Sequence, residues 1–285
     1  MPEQLIRPPV GEPVSLAEAK LHLRVTDDAQ DARIQSFIRS ARIDAEKEIR
    51  QQLLHARWQL VFDRFPMAGV GTPLPFCENV NIPGYAAMLP HSPLVDVVSV
   101  TYLDMSGTMQ TMDPGDYVAN NALTPGIVTP GFGKIWPIPL PQTGAVQFTY
   151  NAGYASPFSV PDAPGNQIKV PGPVTWKVGD TVGFYNSGGA LPLPLEADAP
   201  YTIGAAATGG LYQLLDDAGA SVQFTDTGSG LSFIGVVPQA IRDWILLRVG
   251  ALYENREGVL VMTRGHVEDL PFVDRMLDPY RSSLP

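Results

Sequence analysis

The stretch from Pro238 to Glu257 constrains the fold more than any other part of the chain. Ile241, Trp244, Ile245, Arg248 and Leu252 recur at helical spacing, and Leu246, Leu247, Val249 and Tyr253 make the remaining faces apolar too. Pro238 suits a first helical position, because the N–H it lacks has no helical acceptor there. A helix apolar on nearly every side is buried on most of them. At about 18 residues it is roughly 27 Å long, and an element of similar length must cover it.

The candidate cover lies about 200 residues upstream. Ile34, Phe37, Ile38, Ala41, Ala45, Ile49 and Leu53 repeat at i+3 and i+4, while Arg39, Arg42, Asp44, Glu46, Lys47 and Arg50 form the opposite face. This predicts an amphipathic helix of about 25 residues and about 40 Å. Ahead of it, Ser15-Leu16-Ala17-Glu18 has the form of a reciprocal capping box opening a short helix to Leu23. Asp27, Asp28 and Asp31 crowd the start of the second helix, where carboxylates favour the positive end of the dipole. Residues 1–13 are Pro-rich and read as an extended arm.

From Ala56 the period changes to two, with Trp58, Leu60 and Phe62 alternating against Gln59, Val61 and Asp63. A Pro/Gly-rich loop from Pro66 to about Pro90 follows, then a β-branched strand over Leu94–Leu103 and a turn at Asp104-Met105-Ser106-Gly107 into Thr108–Met112. Further short strands are expected at Tyr117–Ala119, Gly126–Thr129 and Ala145–Tyr150.

Composition shifts at Ala155. Residues 155–236 hold no Arg and two Lys against seven acids. Strands are expected at Thr181–Tyr185, Tyr201–Gly204, Leu211–Leu215, Ser221–Thr225 and Leu231–Ile234, between Gly- and Asp-rich turns. This predicts a small all-β barrel or sandwich inserted before the closing helix. After Gly258, a short amphipathic helical turn over Pro271–Arg281 precedes the C-terminus.

A net charge of −10 argues against a surface that grips nucleic acid. One cysteine, Cys77, rules out an intrachain disulfide framework and suits a reducing compartment. No run reaches the roughly 18 apolar residues of a membrane span, and the start lacks a secretory apolar region, so a soluble, cytosolically made chain is expected. No metal, cofactor or catalytic residue is expected. His22, His55, His91 and His266 lack zinc spacing and read as surface or loop residues. Cys77 lacks a nucleophile signature, and Gly69-Val70-Gly71 neither follows a strand nor opens a helix. Asp27-Asp28-Ala29-Gln30-Asp31 lacks the Gly and the terminal Glu of a calcium loop. Two groups read as partner or oligomer contacts: Tyr253, Glu254 and Arg256 at the end of the closing helix, and Phe272, Met276, Leu277, Tyr280 and Arg281 near the C-terminus. For each, the alternative is ordinary solvated or core-capping residues.

Several motifs in one order resemble a known family. They are Pro-Val-Ser-Leu-Ala-Glu-Ala-Lys-x-His-Leu-Arg-Val (13–25), Trp58 opening a strand that leads to Phe65-Pro66, Pro93-Leu94-x-x-Val97-x-Ser99-Val100-x-Tyr102-Leu103-Asp104, Tyr150-x-Ala152-Gly153-Tyr154, Val237-Pro238-x-x-Ile241-Arg242 and Leu252-Tyr253-Glu254-Asn255-Arg256-Glu257. Together they resemble the head–tail connector (adaptor) proteins of tailed bacteriophages, over residues 13–154 and 237–281. The chain departs from that pattern at 155–236, which is similar to small β modules of other phage virion proteins.

The resemblance implies an α+β fold: a helical connector core of long N-terminal and C-terminal helices, antiparallel β elements and the inserted all-β barrel or sandwich. The expected domains are 1–154 and 237–285 for the connector, with 155–236 inserted. It further implies a non-enzymatic virion protein of the neck, forming a ring of about 12 subunits by head-to-tail contacts. Its implied partners are other copies of itself, the portal protein and the downstream neck or tail connector, with DNA passing through the lumen unread. Two other readings are a tail or receptor-binding protein that uses the β insert, and a hydrolase with a β accessory module. The latter would draw on Asp216, Asp217 or a sugar site at Trp136, Trp176 and Tyr212.

Overall fold

In the computed structural model, residues 3–9, 11–67, 72–73, 81–171, 176–187, 189–197, 199–207, 209–235, 237–254 and 275–282 are described. The chain forms two compact units, one of residues 1–9, 50–154 and 282–285, the other of residues 10–49 and 155–281.

The first unit is β-rich. Its strands are β1 (Glu3–Arg7), β2 (Ala56–Phe62), β3 (Thr72–Pro73), β4 (Asn81–Ile82), β5 (Ala87–Leu89), β6 (Leu94–Leu103), β7 (Met109–Thr111), β8 (Tyr117–Asn120), β9 (Gly126–Pro130) and β10 (Val146–Ala152). A five-stranded antiparallel sheet runs β1-β2-β10-β6-β7, a three-stranded one β5-β9-β8, and β3 pairs with β4. β10 is central, with Phe148 opposite Leu60 on one side and Val100 on the other. Leu60, Val100, Val146, Phe148, Tyr150 and Ala152 are all fully buried, as alternation on one face of a half-covered sheet requires. Leu89 and Val128 of the three-stranded sheet share their core. The N-terminal arm is the edge strand β1, with Glu3 opposite Leu60 and with Leu5 and Ile6 exposed.

The second unit begins with α1 (Leu16–Leu23), capped by Ser15 Oγ, which accepts from the Glu18 N–H at 3.2 Å. Arg24, in the left-handed region at φ 58°, ends it. α2 (Asp31–Ile49) buries Ile34, Ile38, Ala41, Ala45 and Ile49. It stops earlier than expected, because Arg50 turns left-handed at φ 55° and Leu53 belongs to the β-rich unit. Its 19 residues span about 28 Å rather than 40 Å. α3 (Gln239–Glu254) packs against both α1 and α2. Among the described residues these are the three α-helices, so the expected core of long helices is a compact trio instead. Arg42, expected on the solvated face of α2, is buried and held by Glu12 and Glu46, each at 2.7 Å.

Residues 155–235 add β11 (Ala155–Pro157), β12 (Gln167–Lys169), β13 (Thr181–Val182), β14 (Phe184–Ser187), β15 (Tyr201–Ala207), β16 (Leu211–Leu215) and β17 (Leu231–Gly235). They form two open sheets, β11-β17-β14 and β12-β16-β15-β13, over one core that includes Ile168, Phe184, Ile203, Leu214, Phe224 and Ile234. Among the described residues neither sheet closes into a barrel. The strand expected at 181–185 breaks at Gly183, and its halves serve different sheets. Residues 221–225 make isolated bridges rather than the expected strand, Ser221 with Leu215 and Phe224 with Gly165.

Candidate interfaces and the buried ion cluster

A charged cluster sits inside the second unit. Arg242 Nη2 on α3 lies 2.7 Å from Glu18 Oε2 on α1 and 2.9 Å from Asp180 Oδ2, just ahead of β13. Lys177 Nζ meets the other Glu18 oxygen at 3.0 Å, and the Lys177 N–H donates to Asp180 at 2.9 Å. The side chains of Arg242 and Asp180 are 3% and 7% exposed, so these charges depend on each other rather than on water. Burial alone raises the Glu18 carboxyl, but the hydrogen bonds and charges of Lys177 and Arg242 outweigh it and hold its pKa below the usual value. The capping box is therefore half realised: Ser15 caps the helix, while the Glu18 side chain turns to Arg242. Likewise Asp28 and Asp31 pair with Lys20 of α1, at 2.5 and 2.8 Å.

Tyr253 is half-buried and Glu254 exposed at the described end of α3. Near the C-terminus, Leu277 is fully buried, Met276 and Tyr280 are half-buried, and Arg281 pairs with Glu48 of α2 and with Asp278. Arg256 and Phe272 lie outside the described residues, as do Cys77, His266 and Gly69-Val70-Gly71. The turn at Pro271–Arg281 is described only from Arg275, with a tight helical turn at Asp278–Tyr280.

The β-rich unit carries a surface that sequence reasoning did not single out. Residues 131–142 form an outlying loop beside an open cavity of about 1290 Å³, walled by Phe65, Met67, Tyr85, Ile135, Trp136 and Ile138. Trp136 anchors it, stacking on Phe65 at 4.8 Å and donating from Nε1 to the Tyr85 carbonyl at 2.7 Å. The available signal was the run Phe132 to Leu140, rich in large apolar residues and Pro but without strand or helix period.

The other candidates resolve into structure. His55 lies in the loop just ahead of β2, as expected, and is half-buried there; burial first, then the charges of Arg57 and Arg7, push its pKa down to about 3. His91 stacks on Trp58 at 3.6 Å and meets Glu3 at 3.0 Å. Asp216 accepts from the N–H groups of Ala218 and Ala220 and so closes a turn. Trp176 meets Tyr212 edge-on at 5.2 Å, in the unit that does not contain Trp136. Among the described residues no three His, Cys, Asp or Glu side chains are grouped to hold a metal ion, and no helix is long and apolar enough to cross a membrane.

Among the described residues the charged side chains form ion pairs and caps and an apolar loop is exposed, and the resemblance read from the motifs is to head–tail connectors. Residues 13–76, which hold α1, α2 and β2, match the family model of the phage gp6-like head-tail connector proteins, in agreement with that resemblance. A comparison with curated proteins gives no match. Among solved structures, the fold is similar to a chain in the virion of a native gene transfer agent particle, with TM-score 0.53 and 14% identity over 99% of this chain and 96% of that one. It is equally similar to a chain in the neck of an empty gene transfer agent particle computed with C6 symmetry, with TM-score 0.53, 15% identity and the same coverage. The likeness in fold takes in residues 155–236, the part that departs from the connector pattern in sequence.

Proposed function

We propose that this chain is a structural connector of a virion neck, forming a ring of about a dozen subunits below the portal and presenting a surface for the next neck or tail component. The observation that carries this reading is the match of residues 13–76 to head-tail connector proteins. The full-length likeness in fold to a chain from the neck of a gene transfer agent particle supports it. The role is non-enzymatic, and DNA passes through the lumen without being read. The net charge of −10 suits this, since an acidic wall repels phosphate. In this reading residues 1–154 and 237–285 form the connector domain and 155–236 an inserted module with its own core. Contacts with neighbours fall to Tyr253, Glu254 and Arg256, to Phe272, and to Met276, Tyr280 and Arg281, which flank the buried Leu277.

Electron microscopy of the purified chain mixed with portal rings tests the proposal. A collar of added density on one end of the portal is expected. A chain that stays monomeric and never binds portal would overturn it.

A further inference from the structure

From the loop at residues 131–142 we infer a contact surface between copies of this chain, an inference that rests on the connector reading. Phe132 is fully exposed, Ile135 is 87% exposed and Ile138 is 80% exposed, within seven residues of one another. Solvent-facing side chains of this size normally occur singly, and a group of them marks an interaction site.

The loop is held in place. At its start the Gly131 N–H donates to the Asp116 carbonyl at 2.9 Å, and near its end the Leu140 N–H donates to the Leu103 carbonyl at 2.8 Å. Between them the Trp136 indole is fixed by Tyr85 and Phe65, and Lys134 pairs with Asp116 at 2.7 Å. Pro137, Pro139 and Pro141 remove backbone freedom further. A surface ordered before it binds loses little entropy on binding.

Charge and area select the occupant. Residues 131–142 contain one charged side chain, Lys134, already neutralised by Asp116. Copies of a chain with net charge −10 repel one another, so they approach most readily where the surface has no unbalanced acid. Phosphate or an acidic membrane surface would call for unpaired cations, which residues 131–142 do not supply. With the exposed Met67 beside the cavity, the three loop side chains offer on the order of 600 Å² of apolar surface. A stable interface takes about 800 Å² from each partner, so this loop is the apolar centre of one ring contact with a polar rim to complete it.

The test compares the wild-type chain with a Phe132→Asp/Ile138→Asp double variant by light scattering and electron microscopy, alone and with portal rings. Both side chains are exposed, so circular dichroism should be unchanged and the Tm should equal that of wild type diluted until it is unassembled. Wild type is expected to form rings or collars, and the variant to stay monomeric at concentrations about tenfold higher. A photo-reactive phenylalanine analogue at position 132 should yield an adduct of twice the chain mass. Rings of the double variant equal to wild type, or an adduct to portal instead of to a second copy, would overturn the inference and leave the connector reading standing. A wild-type chain that neither assembles nor binds portal would overturn both.

Discussion

Arg242 donates from Nη2 to Glu18 Oε2 at 2.7 Å, although 224 residues of chain separate them. Each lies in a motif that carries the connector resemblance, Glu18 in residues 13–25 and Arg242 in 237–242. The pair fixes α3 to α1, and Asp180 joins it from the β-sheet part of the same unit. Removing one partner of a buried ion group strands the others, at about 3–5 kcal/mol. Arg242→Ala should therefore lower the unfolding free energy by that amount in a urea titration. A loss under about 1 kcal/mol would show that water already screens the group. Replacing Arg242, Glu18 and Asp180 together with apolar residues of similar volume should recover much of the loss.

Acid acts on the two units through different groups. The pKa of His55 falls from 6.5 to about 3 on folding, so between those values the unfolded chain binds a proton that the folded chain refuses. Its contribution is complete above pH 6.5 and is lost as the pH falls toward 3, with a slope of up to about 1.4 kcal/mol per pH unit. The depressed Glu18 pKa acts lower: its contribution is present above 4.5 and is lost below as the carboxylate protonates. Urea midpoints at pH 7, 6 and 5 should decline for wild type and stay nearly level for His55→Gln. Equal slopes in the two proteins would show that His55 titrates normally.

Period and turn chemistry made most elements legible in the sequence. β6 spans the residues expected of it, and α3 is described from within one residue of its expected start, because its apolar repeat has no competing reading. What could not be read was set by long-range partners. The Glu18 side chain has a local acceptor role in a capping box, and only the fold brings Arg242 close enough to outbid it. Arg42 looks solvated by helical periodicity until Glu12 and Glu46 close over it. The loop at 131–142 has no period at all, so nothing local in its sequence separates an exposed apolar run from a buried one.

Gly153, in the Ala-Gly-Tyr motif, is required by geometry. Its φ is +131°, and a Cβ there would sit 2.6 Å from the backbone C and O of Leu54. Backbone cannot step aside as a flexible side chain can, and the dihedral is itself strained for other residues. Gly153→Ala should cost at least about 2 kcal/mol by chemical denaturation. Gly107 serves as the control, since nothing lies within 4 Å of its Cβ position at φ +81°, and Gly107→Ala should cost about 1 kcal/mol.

Leu277 decides whether the C-terminal segment belongs to the folded unit. It is fully buried, and Arg281 beyond it pairs with Glu48 on α2. Leu277→Ala should destabilise by about 2–5 kcal/mol, as for other buried leucines. Arg281→Ala removes an exposed ion pair and should cost under about 1 kcal/mol. If Leu277→Ala has no effect on Tm, the segment is held by something other than its own core contact.

Residues 157–233 can be tested for separability directly, because the chain enters and leaves this part side by side. Ala155 pairs with Gly235, and Ser156 with Ile234, in the antiparallel ladder of β11 and β17. A short Gly-Asn turn joining Ser156 to Ile234 therefore bridges a gap that a hairpin closes routinely. The shortened chain loses Asp180 and Lys177, leaving Arg242 with Glu18 alone. It should keep the helical circular dichroism of α1, α2 and α3 and unfold in one transition, with stability lower by about 1–3 kcal/mol. Adding Glu18→Gln to full-length and shortened chains should cost less in the shortened one, since the Lys177 partner is already gone. A shortened chain that aggregates or lacks helical signal would show that the β part completes the helical core and is not a spliced-in module.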